Sequence, residues 1–183
     1  MGTAAGLVLA AGAGTRFGGP KALAVGADGT PWIASAVRAL QDGGCGAVVV
    51  VLGAAAEQAR AMVPAGSRGV VAEDWRAGVA ASLRAGLDAL PDADAVVITL
   101  VDLPGLPAAA VARVLAAAPG PAGLARAVYS GAPGHPVVLG RDRLAPFRES
   151  LRGDEGGRAW LHQHGAVPVE CGDLFTGADV DRR

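Results

Sequence analysis

Short runs of branched apolar residues alternate with longer alanine-rich segments through the first two thirds of the chain. The short runs lack the apolar–polar alternation of a half-exposed strand, which is typical of strands buried on both faces of a parallel sheet. These predicted strands are 6–9, 47–52, 69–72 and 95–100. The segments between and after them carry apolar residues at helical spacing, which predicts helices over 32–41, 55–62, 77–90 and 107–118.

The pattern changes beyond residue 123, where shorter strand-like pieces are mixed with polar segments that we interpret as loops. The predicted strands of this part are 124–129, 136–139 and 167–170. Strand–helix alternation with short connections predicts an α/β protein in which helices cover both faces of a mostly parallel sheet. We therefore expect a single domain over residues 1–183, built as a three-layer αβα sandwich.

Length and charge narrow the class of protein. The 183 residues suit one domain, and a net charge of −1 argues against a basic scaffold that binds nucleic acid. Apolar stretches end well short of the roughly 20 residues that a membrane span needs. Cys45 and Cys171 are too few for a disulfide framework or a zinc site, and are expected to be small buried residues. These features predict a soluble cytoplasmic protein without nucleic-acid or membrane partners.

The loop after the first strand carries the clearest chemical signal. It reads Leu-Ala-Ala-Gly-Ala-Gly-Thr-Arg-Phe-Gly-Gly-Pro-Lys over residues 9–21, and Lys21 is the only lysine among the 16 basic residues. Glycines allow backbone amides to point together at an anion, and Arg16 and Lys21 add charge-assisted contacts. The loop is predicted to hold a polyphosphate. A loop that is merely flexible would require neither cation.

Two familiar phosphate-binding motifs do not fit this loop. The dinucleotide motif G-x-G-x-x-G needs a glycine where Phe17 stands. The P-loop motif fails because Pro20 displaces the lysine by one position and Ala22 replaces the magnesium-binding hydroxyl.

Asp102 follows the predicted strand 95–100 and therefore lies at its carboxyl end. Ligands of open α/β sheets bind at the carboxyl ends of strands, so we expect Asp102 to face the glycine-rich loop. An aspartate there either caps a turn or binds a magnesium ion, and the loop upstream favours the magnesium ligand.

The 9–21 motif resembles the signature of nucleotidyltransferases with a glycosyltransferase-A-like, Rossmann-like fold. It is most similar to the molybdenum cofactor cytidylyl- and guanylyltransferases, and the resemblance extends from about residue 5 to residue 181. Further segments that resemble this family are 73–78 with Ser82-Leu83, 101–104, 134–136, 153–158 and 179–181.

The resemblance implies a Mg²⁺-dependent transfer of a nucleoside monophosphate to a phosphorylated acceptor, with release of pyrophosphate. Ala11 favours CTP over GTP, and the implied acceptor is the molybdopterin cofactor, with transient contact to a molybdenum enzyme. Residues 1–120 would form the nucleotide-binding half and residues 121–183 the acceptor-facing half.

The same resemblance implies the roles of individual residues. Arg16, Lys21 and Asp102 are the expected catalytic residues, and Asp102 and Asp181 the expected metal ligands. The expected nucleotide-binding residues are Leu9, Ala10, Ala11, Gly12, Gly14, Arg16, Lys21, Asp74 and Ser82. The expected acceptor-binding residues are Gly134, His135 and Arg158.

Several of these roles have a structural alternative. Asp74 would also suit a helix cap and Ser82 a packing position, while Arg158 would also suit an ion pair with Asp154. His135 is expected in a loop, either as a structural residue or as one that positions the substrate. It is not expected to be a general base, because an acceptor phosphate is already anionic.

Other functions also remain open at this point. One is cytidylyl, uridylyl or guanylyl transfer to a sugar or polyol phosphate. Another is a non-catalytic nucleotide-binding factor for enzyme maturation, which would need the loop but not Asp102. A dinucleotide-dependent dehydrogenase is disfavoured by Phe17.

Overall fold

A computed structural model describes residues 2–181, which form one seven-stranded sheet flanked by helices. The strands are β1 (Ala4–Ala10), β2 (Ala47–Leu52), β3 (Arg68–Val71), β4 (Ala95–Leu100), β5 (Leu124–Tyr129), β6 (Ala132–Gly140) and β7 (Val167–Glu170). The helices are α1 (Trp32–Asp42), α2 (Ala56–Arg60), α3 (Val79–Ala89), α4 (Ala108–Ala116), α5 (Arg141–Ser150) and α6 (Arg158–Gln163). Every predicted strand and helix is present, which confirms the α/β fold.

The order of strands places β1 between β2 and β4 near the middle of the sheet, as β3-β2-β1-β4-β6-β5-β7. β1, β2, β3 and β4 run parallel, β6 enters antiparallel between β4 and β5, and β7 is parallel to β5. The chain passes from β1 to β2 on one side and returns through β4 on the other. This reversal opens a crevice at the carboxyl ends of β1 and β4.

Apolar side chains fill a layer on each face of the sheet. Val48 and Val50 of β2 belong to the cluster under α1 and α4, whereas Val49 and Val51 belong to the cluster under α3, α5 and α6. A strand that points into both layers needs no polar positions, and this explains the uninterrupted valine run. The two clusters confirm the predicted three-layer sandwich.

The region after β6 differs from its prediction. Residues 141–163 contain α5 and α6 rather than polar loops alone, and His135 lies within strand β6 rather than in a loop. The helices escape prediction because α5 buries only Phe147 and contains Pro146, so no continuous apolar stripe marks it.

No helix in residues 2–181 is both long enough and apolar enough to cross a bilayer.

Candidate active site

The glycine-rich loop folds back on the carbonyl of Gly14. The amides of Phe17, Gly18 and Gly19 all donate to this oxygen, each at 3.0 Å. Gly14 has a positive φ of 60°, and a Cβ there would lie 1.9 Å from the Gly19 oxygen, so only glycine fits. The buried ring of Phe17 lies 5.2 Å from that of Trp32 and anchors the loop to α1.

Folding the loop in this way leaves one run of backbone amides available. The amides of residues 12–16 donate no hydrogen bond to any of residues 2–181. Gly12 has open space around its Cα, so a ligand can approach the backbone closely there. A row of unpaired amides beside two cations is the arrangement that binds phosphate oxygens.

Lys21 connects this loop to two carboxylates. Its Nζ lies 2.8 Å from Asp102 Oδ2 and 2.9 Å from Asp181 Oδ1, and Arg16 approaches Asp181 at 3.5 Å. Burial by itself would lower the pKa of Lys21, but the hydrogen bonds and charges of both aspartates outweigh burial and raise that pKa. The lysine is therefore a fixed positive charge at the floor of the crevice.

The structure brings Asp102 together with two carboxylates, Asp179 and Asp181, that lie far from it in the sequence. One carboxylate oxygen each from Asp102, Asp179 and Asp181 lie within 4.8 Å of one another. The backbone amide of Val180 donates to the Asp102 carbonyl at 3.0 Å and fixes the terminal segment there. Asp102 Oδ1 is buried and accepts no hydrogen bond from the described part of the chain. Buried polar atoms usually have partners, and a hard divalent cation would satisfy this oxygen.

A cavity of about 460 Å³ lies between the glycine-rich loop and the carboxylates. Its walls come from the ends of β1 and β4, the start of α3 and the loop between α5 and α6. The lining residues are Leu9, Ala10, Ala11, Gly12, Gly14, Lys21, Trp75, Arg76, Gly78, Val79, Ser82, Leu100, Val101, Asp102 and Asp154.

Most of the expected nucleotide-binding residues line this cavity, and two do not. Arg16 extends at the rim with its side chain 81% exposed, and Asp74 is exposed outside the lining and makes no helix-capping hydrogen bond. Beyond Asp74, Trp75 and Arg76 form part of the wall, with the guanidinium 4.5 Å from the indole.

Asp154 reaches the cavity through a long-range contact that its sequence segment does not reveal. The amide of Ala80 donates to the Gly153 carbonyl at 3.0 Å, and a Cβ on Gly78 would lie 2.5 Å from that same oxygen. Gly78 therefore lets the loop between α5 and α6 close against α3. The Asp154–Arg158 ion pair, which was the structural alternative for Arg158, is absent among residues 2–181.

A second cavity of about 220 Å³ adjoins the first and shares Leu9, Val79 and Leu100 with it. The remaining lining is apolar except for His135: Leu83, Ile98, Val137, Phe147, Gly156 and Leu161 complete it. The expected acceptor residue Gly134 packs against the Tyr129 ring, whose hydroxyl donates to the His135 carbonyl at 2.6 Å.

The His135 imidazole is neutral at physiological pH. Burial, assisted by the positive charge of Arg126, lowers its pKa to about 4. A neutral imidazole suits positioning of a substrate, as expected, and does not suit a proton carrier near neutral pH.

This pKa predicts a pH dependence of stability. The unfolded chain binds a proton at His135 more readily than the folded protein does. The stability contributed by the neutral imidazole is therefore complete above pH 6.5 and is lost as the pH falls towards 4. The free energy of unfolding falls by about 3 kcal/mol at most from this cause. The free energy of unfolding, measured with denaturant at each pH, should fall less steeply between pH 6.5 and 4 for His135→Gln than for wild type. The exposed control His162→Gln should follow wild type, and identical curves for all three proteins would contradict the prediction.

The expectation that both cysteines are small buried residues is confirmed. Cys45 and Cys171 are buried and free, and burial raises the pKa of Cys45 to about 12. Phe147 packs edge-on against Trp160 with centroids 5.2 Å apart. His164 stacks on the same tryptophan, so it does not pair with His162.

An open α/β sheet with unpaired loop amides beside a carboxylate cluster is an arrangement that suits a polyphosphate and a divalent cation. The chain belongs to the family of MobA-like NTP transferase domains, whose match spans residues 6–167. This membership confirms the nucleotidyltransferase family and the fold predicted from the 9–21 motif.

Relatives extend the comparison over nearly the whole chain. Nicotine blue oxidoreductase from Paenarthrobacter nicotinovorans is 37% identical over 96% of this chain and 91% of its own length. Rv0371c from Mycobacterium tuberculosis superposes with a TM-score of 0.80 at 28% identity, over 98% of this chain and 93% of that chain. A complex of Rv0371c with manganese has a TM-score of 0.74 at 28% identity, over 92% and 87% of the two chains.

Proposed function

We propose that the protein transfers CMP from CTP to the phosphate of molybdopterin and releases pyrophosphate. One observation carries the proposal: the loop with unpaired amides at 12–16, Lys21 and Asp102 all border one cavity. The Lys21 ammonium also contacts Asp181. Nucleotidyl transfer needs this combination of phosphate binding and charge neutralisation.

Some of the chain's own residues would bind the phosphates of CTP, and others would stabilise the charge that develops during transfer. The amides of residues 12–16 and the exposed guanidinium of Arg16 suit the outer phosphates of CTP. Lys21 is a compact positive charge that would oppose the charge growing on the leaving pyrophosphate. Ala11 and Ser82 border the part of the cavity left for the nucleoside, and Ala11 supports CTP through the family resemblance.

The residues present fit a divalent cation. Asp102 and Asp181 offer hard oxygen ligands, Asp179 offers a third, and the Asp102 Oδ1 atom is buried without a partner among residues 2–181. Mg²⁺ is the ion we propose. When bound, it would neutralise charge on the α-phosphate and on the departing pyrophosphate.

Transfer is a single displacement at phosphorus. A bond forms between an acceptor phosphate oxygen and the α-phosphorus, while the bond from the α-phosphorus to pyrophosphate breaks. The attacking oxygen is already anionic, so no proton has to be removed, and the neutral His135 is free to orient the acceptor. Residues 121–181 would supply this acceptor-facing wall.

The test is pyrophosphate release by the purified protein with Mg²⁺ and each of CTP, GTP, UTP and ATP, with and without molybdopterin. We expect release only when CTP and molybdopterin are both present. Release with a sugar or polyol phosphate instead would overturn the proposed acceptor. Tight CTP binding without release under any condition would favour a non-catalytic maturation factor.

A second candidate function rests on one comparison. The relative that is 37% identical over 96% of this chain is named nicotine blue oxidoreductase, which is a redox activity rather than nucleotidyl transfer. A related reaction here would pass a hydride from NADH or NADPH to nicotine blue or a similar compound. Consumption of either dinucleotide in the presence of nicotine blue, without pyrophosphate chemistry, would favour this candidate over the first.

A further inference from the structure

The apolar cavity beside the nucleotide site has an arginine in the same row of the sheet. Ile98 pairs with Val137 across β4 and β6, and Val137 pairs with Arg126 across β6 and β5. Directly opposed residues share a face of the sheet, and Ile98 and Val137 both line the cavity. Arg126 is therefore the next residue of the row that forms the cavity wall.

Arg126 also lies close to two other residues of this region. The positive charge of Arg126 lowers the pKa of His135, which lines the cavity. The charge of Arg158, at the start of α6, in turn lowers the pKa of Arg126. The side chains of His135 and Val137 both line this cavity. The strand register thus places Arg126 beside the apolar cavity, within electrostatic range of both His135 and Arg158.

No carboxylate balances this positive charge within residues 2–181. Neither Arg126 nor Arg158 forms an ion pair there, and the buried Nε of Arg126 donates to no acceptor. Glu170 on the adjacent β7 is engaged elsewhere, since its carboxylate accepts from backbone amides. Burial and the neighbouring Arg158 lower the pKa of Arg126, but a guanidinium remains charged.

We propose that Arg126 and Arg158 form an anion-binding subsite that holds an anionic group of the acceptor while the apolar cavity holds an uncharged part. A phosphate or similar anion would pair both guanidinium groups and the unpartnered Nε together. The assignment to the acceptor rests on the proposed function. The ligand class, an apolar group that carries a phosphate, follows from the cavity lining and the charges alone.

Phenyl phosphate is a suitable probe because it joins an apolar ring to a phosphate. Its affinity is measured by calorimetry after the first cavity has been saturated with CTP and Mg²⁺, so that the glycine-rich loop does not compete for it. Arg126→Met and Arg158→Met should each weaken phenyl phosphate binding by about tenfold or more. Arg126→Lys should recover part of the affinity, and uncharged benzyl alcohol should bind all variants alike.

Controls separate the subsite from general effects. Arg38→Met removes an exposed arginine on α1, across the sheet, and should bind the probe like wild type. If Arg126→Met does not fold, the Arg158→Met variant, at an exposed position, tests the subsite instead. Unchanged phenyl phosphate affinity in folded Arg126→Met and Arg158→Met would overturn the subsite, as would an equal loss in Arg38→Met. If CTP itself does not bind, the proposed function fails, while the arginine comparison still decides the subsite.

Discussion

Replacing Lys21 by alanine should lower the rate of CMP transfer by a factor on the order of 10²–10³ or more while the protein still folds. The Lys21 ammonium contacts both Asp102 and Asp181, and it lines the cavity beside the glycine-rich loop. Steady-state pyrophosphate release at saturating CTP and molybdopterin measures the effect.

Metal binding by the Lys21→Ala variant distinguishes a loss of catalysis from a loss of folding. In the absence of nucleotide, Lys21 competes with any cation for the two carboxylates, so Mn²⁺ should bind Lys21→Ala at least as tightly as wild type. Arg16→Ala serves as the matched control, since its exposed side chain lies at the rim of the cavity, 3.5 Å from Asp181, and should affect turnover less. A Lys21→Ala protein with wild-type turnover would contradict the assignment of the glycine-rich loop.

Asp102→Asn should abolish turnover by a comparable or larger factor and leave CTP binding in the absence of metal largely intact. The amide has the size of the carboxylate but no negative charge, so it is a poor ligand for a hard cation. The loop amides of residues 12–16 lie on another chain segment and still bind phosphate. Isothermal titration with CTP, with and without Mg²⁺, follows binding separately from pyrophosphate release.

Asp179→Asn is the appropriate comparison for Asp102→Asn. Asp179 belongs to the same carboxylate cluster but is exposed, whereas Asp102 has a buried oxygen without a partner among the described residues. The Asp179 variant should therefore lose less activity. Wild-type turnover in Asp102→Asn would contradict a metal-assisted transfer that depends on this carboxylate.

The sequence predicts those parts of the fold whose neighbouring residues form a recognisable pattern of apolar and polar positions. The valine run of β2 points into apolar layers on both faces, so its composition alone marks a central strand. Asp102 directly follows a similar run, and parallel strands bring their carboxyl ends to one edge. The meeting of Asp102 with the loop at Lys21 followed from these two facts.

The parts that escaped prediction depend on contacts between distant segments. Asp154 enters the nucleotide cavity because the Gly153 carbonyl accepts from the amide of Ala80, more than 70 positions earlier in the chain. Arg126 sits in an ordinary strand pattern, and only the register of β5 against β6 shows that it shares a face with the apolar cavity. Helix α5 lacks an apolar stripe, so its sequence resembles a polar loop.

The terminal segment illustrates a further limit. Asp181 stands near the end of the chain, where an aspartate is most often solvated. The hydrogen bond from the Val180 amide to the Asp102 carbonyl brings it into contact with Lys21. That contact joins residues about 160 positions apart, and no pattern local to either residue reveals it.

A crystal grown with CTP and Mn²⁺, with the ion located by its anomalous scattering, tests the central claim most directly. The predicted result places the triphosphate on the amides of residues 12–16 and the manganese between Asp102 and Asp181. A loop without phosphate, or an ion bound away from these two carboxylates, would contradict the account.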